Sequence, residues 1–260
     1  MPPLKITVAT VTYNAGSLIA RTIASVEEQT YPYVEHLIVD GNSQDNTLEQ
    51  VHHYQERNSL RPIPHEIVCV SEPDKGLYDA MNKALGLLTG RYILFLNAGD
   101  CLHSADTLAI AVRAAMGSPV LPGVLYGLTN LVDAHGQFLR ERRLAPPEQL
   151  NWHHFKQGML VCHQAFFARA DLVRNIRYDL RYHLSADYDW CIRIMREAER
   201  RNLPLLNLHT VVADYLSEGL STRHHRASLI ERFCIMARHY GLWVAIAQHA
   251  WFIVRAFTKK

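Results

Sequence analysis

Tyr92-Ile93-Leu94-Phe95-Leu96-Asn97-Ala98-Gly99-Asp100 is the stretch from which the fold is read. Residues 92–96 form an apolar run with no alternation, bounded by Gly90 and Gly99. A strand of that kind is covered on both faces. It stops at a small polar cluster that ends in a carboxylate. Upstream, the same grammar repeats. Residues 6–11, 36–39 and 66–70 are short β-branched or apolar runs. Between them, residues 17–29 carry Leu18, Ile19, Ile23 and Val26 at helical spacing. A second helix opens near Asp45, read as its N-cap, with Leu48 and Val51 on one face. A third covers residues 77–88, closed by Gly90 in the C′ position. Strands alternating with helices predict an α/β fold with a mostly parallel central sheet flanked by helices. In such sheets ligands bind at the carboxyl ends of the strands, so those ends are read most closely.

The second half is mixed. Residues 124–131 and 137–144 read as a hairpin around Ala134-His135-Gly136. Residues 163–168 and 205–215 read as strands, residues 188–201 as a helix, and the tail from Ala227 as two helices. No internal repeat, low-complexity tract or linker is visible.

With 260 residues and 48% hydrophobic content, the chain can bury a sizeable core. A net charge of +2 argues against a nucleic-acid partner. Cys69, Cys101, Cys162, Cys191 and Cys234 are odd in number and lack a CxxC pair. That excludes a disulfide framework or zinc ribbon and fits a reducing cytosol. No charged and apolar leader precedes Lys5, so no signal peptide is expected. The most apolar stretch, residues 241–257, is interrupted by Gln248, His249 and Arg255 and is a weak membrane-spanning candidate.

Each strand end has a bland reading and a functional one. Thr10-Val11-Thr12-Tyr13-Asn14-Ala15-Gly16 leaves room for a ligand against the backbone, or is simply a turn. Asp40-Gly41-Asn42-Ser43-Gln44-Asp45 offers a carboxylate to a base or ribose, or is a loop with an N-cap. Ser71-Glu72-Pro73-Asp74-Lys75-Gly76 leads into a helix whose N-terminus, with Lys75, attracts anions. Asp79, Asn82 and Lys83 then share one helical face, or belong to a solvated helix start. Asn97-Ala98-Gly99-Asp100 suits a hard divalent cation. No loop shows GxGxxG or GxxxxGK[ST], which disfavours dinucleotide and P-loop chemistry.

Taken in order, these loops resemble the family 2 glycosyltransferases of GT-A fold. Asp40-Gly41-Asn42-Ser43-Gln44-Asp45-Asn46-Thr47 is similar to the family's VDDGSxDxT signature. Residues 71–76 and 78–83 resemble a subgroup that serves exopolysaccharide clusters, including colanic acid biosynthesis. Phe95-Leu96-Asn97-Ala98-Gly99-Asp100 sits where the family has its DxD metal motif. Cys162-His163-Gln164-Ala165-Phe166-Phe167 and Ser185-Ala186-Asp187-Tyr188 resemble later elements. The resemblance spans residues 4–223. It departs at Gly99, where many relatives have a carboxylate, and at Ala186, where the usual Glu-Asp pair keeps only its aspartate. The Gln/Arg-xx-Arg-Trp motif of processive synthases is absent, which points to one sugar per event.

The resemblance implies a transferase domain over residues 1–223, with a nucleotide-binding half (1–100) and an acceptor half (101–223), then a helical tail (224–260). It implies an inverting transfer from a nucleotide-diphosphate sugar, UDP by default, to a hydroxyl of a sugar or lipid-linked oligosaccharide acceptor. Thr10, Thr12, Tyr13, Asn14, Asp40, Asn42 and Asp74 would hold the nucleoside, with Asp40 at the base. Lys75, Gly76, Asp79, Asn82, Asn97, Ala98 and Gly99 would line the donor site. Asp100 would hold Mn²⁺ or Mg²⁺, with Asn97 and the donor's phosphates completing the shell. Asp187 would be the general base, the alternative being a helix cap by Asp187 or Ser185. Asp189 points elsewhere. His163 and Gln164 would line a pocket, Arg223 would meet phosphate, and His224 would be a late metal ligand.

Trp243, Ile246, Trp251, Ile253, Val254 and Phe257, with Arg255, Lys259 and Lys260, make the tail a packing or homodimer helix, or an interfacial anchor. An anchor would place the protein at the cytoplasmic face of the inner membrane. Two rivals remain: a sugar nucleotidyltransferase, which would want a basic Gly-rich first loop, and a non-catalytic subunit that only binds nucleotide sugar.

Overall fold

A computed structural model describes residues 3–217 and 225–258. In chain order its elements are β1 Ile6–Thr12, α1 Gly16–Glu27, β2 Val34–Asp40, α2 Thr47–Ser59, β3 Glu66–Ser71, α3 Leu77–Leu87 and β4 Tyr92–Phe95. There follow β5 Cys101–Leu102, α4 Thr107–Gly117, β6 Val124–Val132, β7 Phe138–Glu141, β8 Phe166–Arg169, α5 Ala170–Val173, α6 Ala186–Arg200 and β9 Leu205–Leu216. The tail is α7 His225–Tyr240 and α8 Leu242–Thr258. Two 3-10 turns, Trp152–Gln157 and His163–Ala165, precede β8.

Every residue of β1, β2 and β4 is buried, as their unbroken apolar character requires. These strands pair in parallel, β1 with β2 and with β4, and β2 with β3. Beyond β4 the sheet turns mixed, in the order β3-β2-β1-β4-β8-β6-β9-β5, with β7 on β6. Strand order therefore reverses direction between β1 and β4, the place where doubly wound sheets open a ligand crevice. The mixed second half arises because β8 runs antiparallel to both β4 and β6. The hairpin is real, with a register shift at Leu131/Val132.

Some local readings need correction. Gly90 is no helix C-cap: α3 ends with Leu88 in an extended conformation (φ −55°, ψ 138°). Gly90 is required by closeness, since a Cβ there would lie 2.6 Å from the Thr7 backbone nitrogen. Asp45 does not occupy the N-cap of α2; Asn46 does, without a side-chain cap bond. Asp45 instead accepts from the amides of Thr47 and Gly16, so one carboxylate ties the N-termini of α2 and α1 together. Residues 163–165 are a 3-10 turn rather than strand. The helix α4 was not anticipated, although Leu108, Ala111 and Ala115 have its spacing and are its buried face.

The tail helix α8 is inverted relative to a surface helix. Its exposed described residues are all apolar, led by Trp243 (81% exposed), Trp251, Leu242, Ile246 and Val254. Its polar residues Gln248 and His249 are partly covered, with His249 Nδ1 at 3.0 Å from the Ala245 carbonyl. Among the described residues, no helix is long and apolar enough to cross a membrane.

Candidate active site

The carboxyl ends of β1, β2, β3 and β4 converge with the start of α6. Asp40 ends β2 fully buried, its carboxylate accepting from the Ser43 amide (2.9 Å), the Ser43 hydroxyl and the Ser71 hydroxyl (2.6 Å). It organises two loops rather than offering a free face. Beside it, a Cβ on Gly41 would lie 2.6 Å from Asp74 Oδ2 and 3.2 Å from the Tyr13 ring. Asp74 and Tyr13 therefore close over Gly41, and only a glycine leaves them room. Tyr13 is 64% exposed, an aromatic face open to a planar ligand. Asp74 also accepts from the Gly76 amide at 2.8 Å. Gly76 (φ 113°) faces open space at the N-terminus of α3, with Lys75 exposed beside it.

Other expected residues are placed elsewhere or serve the loops. Thr10 is buried with its hydroxyl 3.0 Å from His36 Nε2, inside the sheet and away from the rim. Asn14 (φ 47°) and Asn42 (φ 67°) hold left-handed turns, which asparagine tolerates; the Asn14 side chain accepts from the Gln44 amide. Asp79 accepts from the Lys75 amide. Asn82 spends its amide on both backbone groups of Tyr178, and Lys83 reaches the Pro73 carbonyl and Glu72. Asp79 and Lys83 both turn to the loop of residues 72–75, while Asn82 turns to Tyr178. Arg223 and His224 lie outside the described residues.

At the β1/β4 junction, two buried polar atoms have no hydrogen-bond partner: Thr12 Oγ1 and Asn97 Oδ1. Each costs about 1–3 kcal/mol when left unpaired. They sit at the ends of adjacent strands, where Ala98 donates its amide to the Val11 carbonyl. Asp100 is buried, one oxygen taking the Gln164 side-chain N–H and the other the Leu216 amide, each at 3.0 Å. Burial raises its pKa against the pull of those bonds. Gly99 has φ 101°, and a Cβ there would meet Leu216 Cδ1 at 2.5 Å. A side chain at position 99 would strain the backbone and displace Leu216, so in this chain the loop is shaped around the glycine.

Among the described residues, no group of three His, Cys, Asp or Glu side chains could hold a metal ion. The residues present fit a shared site instead. Each Asp100 oxygen keeps a lone pair, and Asn97 Oδ1 is an oxygen in search of a partner. Hard dications accept few protein oxygens when substrate phosphates supply the rest.

Asp187, in the first turn of α6, has three hydrogen-bond partners. Its Oδ2 is 3.1 Å from His163 Nδ1; its Oδ1 accepts from Tyr78 Oη (3.1 Å) and from the Tyr188 amide (2.9 Å). A carboxylate only accepts, so His163 Nδ1 carries a proton, and its Nε2 lies 3.3 Å from Asn97 Nδ2. Burial works to raise the Asp187 pKa, but the hydrogen bond and charge of His163, with the charge of Arg232, hold it below the usual carboxylate value. Ser185 makes no cap bond. Asp189 does point away, paired with Arg193 and His239. Tyr78 was missed as a site group; its hydroxyl reaches Asp187 across 109 residues of sequence. Thr22, which binds the Gly99 amide and the Asp100 carbonyl, left no sequence signal at all.

Comparison with known proteins agrees with this geometry. A glycosyltransferase of PGL/p-HBAD biosynthesis from Mycobacterium tuberculosis is 34% identical over 213 residues, covering 80% of this chain and 75% of that protein. The amylovoran biosynthesis glycosyltransferase AmsB of Erwinia amylovora is 27% identical over 81% of this chain and 71% of its own length. The fold is shared with Staphylococcus aureus TarS in complex with UDP-GlcNAc, at TM-score 0.68 and 16% identity, over 99% of this chain and 74% of that one. It is also shared with the mannosyltransferase PcManGT of Pyrobaculum calidifontis in complex with GDP-Man and Mn²⁺, at TM-score 0.62 and 18% identity, over 97% and 76%. Residues 7–177 match the glycosyl transferase family 2 as a family. The chain belongs to glycosyl transferase family 2 and is a glycosyltransferase of GT-A fold.

Proposed function

We propose that the protein transfers a single sugar, with inversion, from a nucleoside-diphosphate sugar, UDP-linked by default, to an acceptor hydroxyl in exopolysaccharide, capsule or other cell-surface glycan synthesis. The observation that carries this reading is the pair of unsatisfied buried oxygens, Thr12 Oγ1 and Asn97 Oδ1, at the ends of adjacent strands, with the carboxylate of Asp187 tied to the Asn97 side chain through His163. Tyr13 stacks on the base and Asp74 takes its polar edge or the ribose, while buried Asp40 keeps their loops in place. Lys75 and the N-terminus of α3 face the phosphates. Asp100 and Asn97 would hold a dication, which supplies neutralisation of charge on the leaving diphosphate. Asp187 accepts the proton of the attacking hydroxyl, and His163 and Tyr78 fix its orientation. One base and one displacement give inversion. The intact Asp187–His163 pair favours catalysis over a binding-only subunit.

The acceptor is a sugar or lipid-linked oligosaccharide, met at the cytoplasmic face of the inner membrane. Support comes from the apolar outer face of α8 and from residues 242–260, which hold Arg255, Lys259 and Lys260 and no acid.

The test is turnover of a panel of UDP-sugars, followed as UDP release, by wild type and Asp187→Asn. Release by wild type that falls at least about 100-fold in the variant supports the reading. Equal release by both would remove Asp187 as the base. No release from UDP-, GDP- or dTDP-sugars, with or without acceptor glycans, would overturn the donor assignment.

A further inference from the structure

The helix α7 presents one face, Ser228, Glu231, Arg232, Ile235, Arg238 and His239, spaced as i, i+3, i+4, i+7, i+10 and i+11. Its polar members turn toward the segment that leads into and begins α6. Glu231 is bidentate: Oε1 accepts from the His183 amide at 2.8 Å and Oε2 from the Leu184 amide at 2.9 Å. Ser228 Oγ lies 3.0 Å from Ser185 Oγ, both buried. Arg238 reaches Asp179 at 3.1 Å, and His239 reaches Asp189 at 2.7 Å. Ile235 is wholly buried.

His183 and Leu184 immediately precede the N-cap of α6, where backbone N–H groups have no helical acceptor. Binding both to one carboxylate fixes the direction in which the chain turns into the helix, with charge-assisted bonds. Asp187 follows the N-cap by two residues, so the aim of its carboxylate inherits that direction. The charge of Arg232 also bears on Asp187 and favours its ionised form.

We infer that α7 is a positioning element for the general base, and that Glu231 sets the orientation of Asp187 by clasping the His183 and Leu184 amides. Glu231 touches neither donor nor acceptor; it acts through the backbone. This inference rests on the reading of Asp187 as the base. It makes the tail part of the catalytic apparatus rather than an appendage to it.

The test uses the full chain with Glu231→Ala, Glu231→Gln and Asp187→Asn. Turnover is followed as UDP release from the accepted UDP-sugar, UDP affinity by calorimetry, and the His183 and Leu184 amides by hydrogen exchange. In Glu231→Ala both amides exchange faster, and kcat falls about 10-fold or more, as misplacement of a reacting group by under an ångström would cause. Donor KM and UDP affinity stay within about two-fold, because uniform binding is untouched. Glu231→Gln keeps one acceptor oxygen and falls between Glu231→Ala and wild type; if the alanine variant does not fold, the glutamine variant is judged by the same criteria. A variant with both amides exposed and kcat within about two-fold of wild type would overturn the inference. So would parallel loss of kcat and UDP affinity, which marks general damage. Full turnover in Asp187→Asn would instead remove the base on which the inference depends, whatever Glu231 does.

Discussion

Asp40 and Asp187 are carboxylates at the rim of one sheet, held in opposite ways. Asp40 is secured by Ser43, three residues on, and by Ser71 on the neighbouring strand. It is wholly buried and its oxygens are spent on loop hydroxyls and an amide. Asp187 is held by the next residue's amide, by His163, 24 residues back, and by Tyr78, 109 residues back. Through the His163 ring it is linked to the Asn97 side chain, whose Oδ1 has no partner. The first arrangement builds a wall; the second leaves a functional group held and ready. A carboxylate whose oxygens are taken up by loop hydroxyls and an amide is read as structure. One held by an imidazole and a phenol from other elements, and linked through that imidazole to an unsatisfied oxygen, is read as chemistry.

The widest contrast between the two comes from replacing each by asparagine. Asp187→Asn keeps the shape and loses the base, so kcat falls about 10²- to 10⁴-fold with UDP affinity unchanged. Asp40→Asn puts an NH₂ group against a hydroxyl or amide donor. It lowers stability by about 1–3 kcal/mol in denaturant melts and weakens UDP binding through the loops. If instead Asp40→Asn abolished turnover with full stability, the contrast would collapse. Gly99→Ala probes the junction between the two regions: its φ of 101° and the Leu216 contact make it cost about 1–3 kcal/mol in the same melts.

Acid sharpens the comparison from the wall side. Burial holds His36, on the strand of Asp40, down to about 3, and His65, just before β3, down to about 4. Both values lie below the ordinary histidine value, so the folded state resists protonation. Stability is full above about pH 6.5 and declines below it, continuing down through the two folded values, by up to about 1.4 kcal/mol per pH unit for each histidine. Urea melts between pH 7 and 5 check this. Tyr78→Phe has the smallest effect. It removes one hydrogen bond to Asp187, about 1 kcal/mol, and lowers kcat a few-fold without altering UDP affinity.

Much of the wall was legible because its determinants are local. Apolar runs of β1, β2 and β4, the helices between them and the polar strand ends are all written within a few residues of where they act. The reading failed where one signal serves two causes. A glycine after a helix suggests a C-cap, yet Gly90 is there because Thr7 passes too close. Asp79, Asn82 and Lys83 have the spacing of a shared face, but spacing does not say what they meet: the 72–75 loop for Asp79 and Lys83, and Tyr178 for Asn82. Thr10 and Thr12 share one face of β1 by period, but Thr10 is sealed against His36 while Thr12 is left without a partner. Asp187 was found through resemblance alone. Its partner Tyr78, the nearby charge of Arg232 and the Glu231 clasp depend on contacts across the fold that no window of sequence contains.

The proposed function requires a nucleoside-diphosphate site where β1 and β4 end. Calorimetric titration of the protein with UDP, with and without Mn²⁺, tests it most directly. Saturable binding to a single site, strengthened by Mn²⁺ and weakened in Asn97→Ala, is the predicted result. Absence of binding for UDP, GDP and dTDP in both conditions would contradict it.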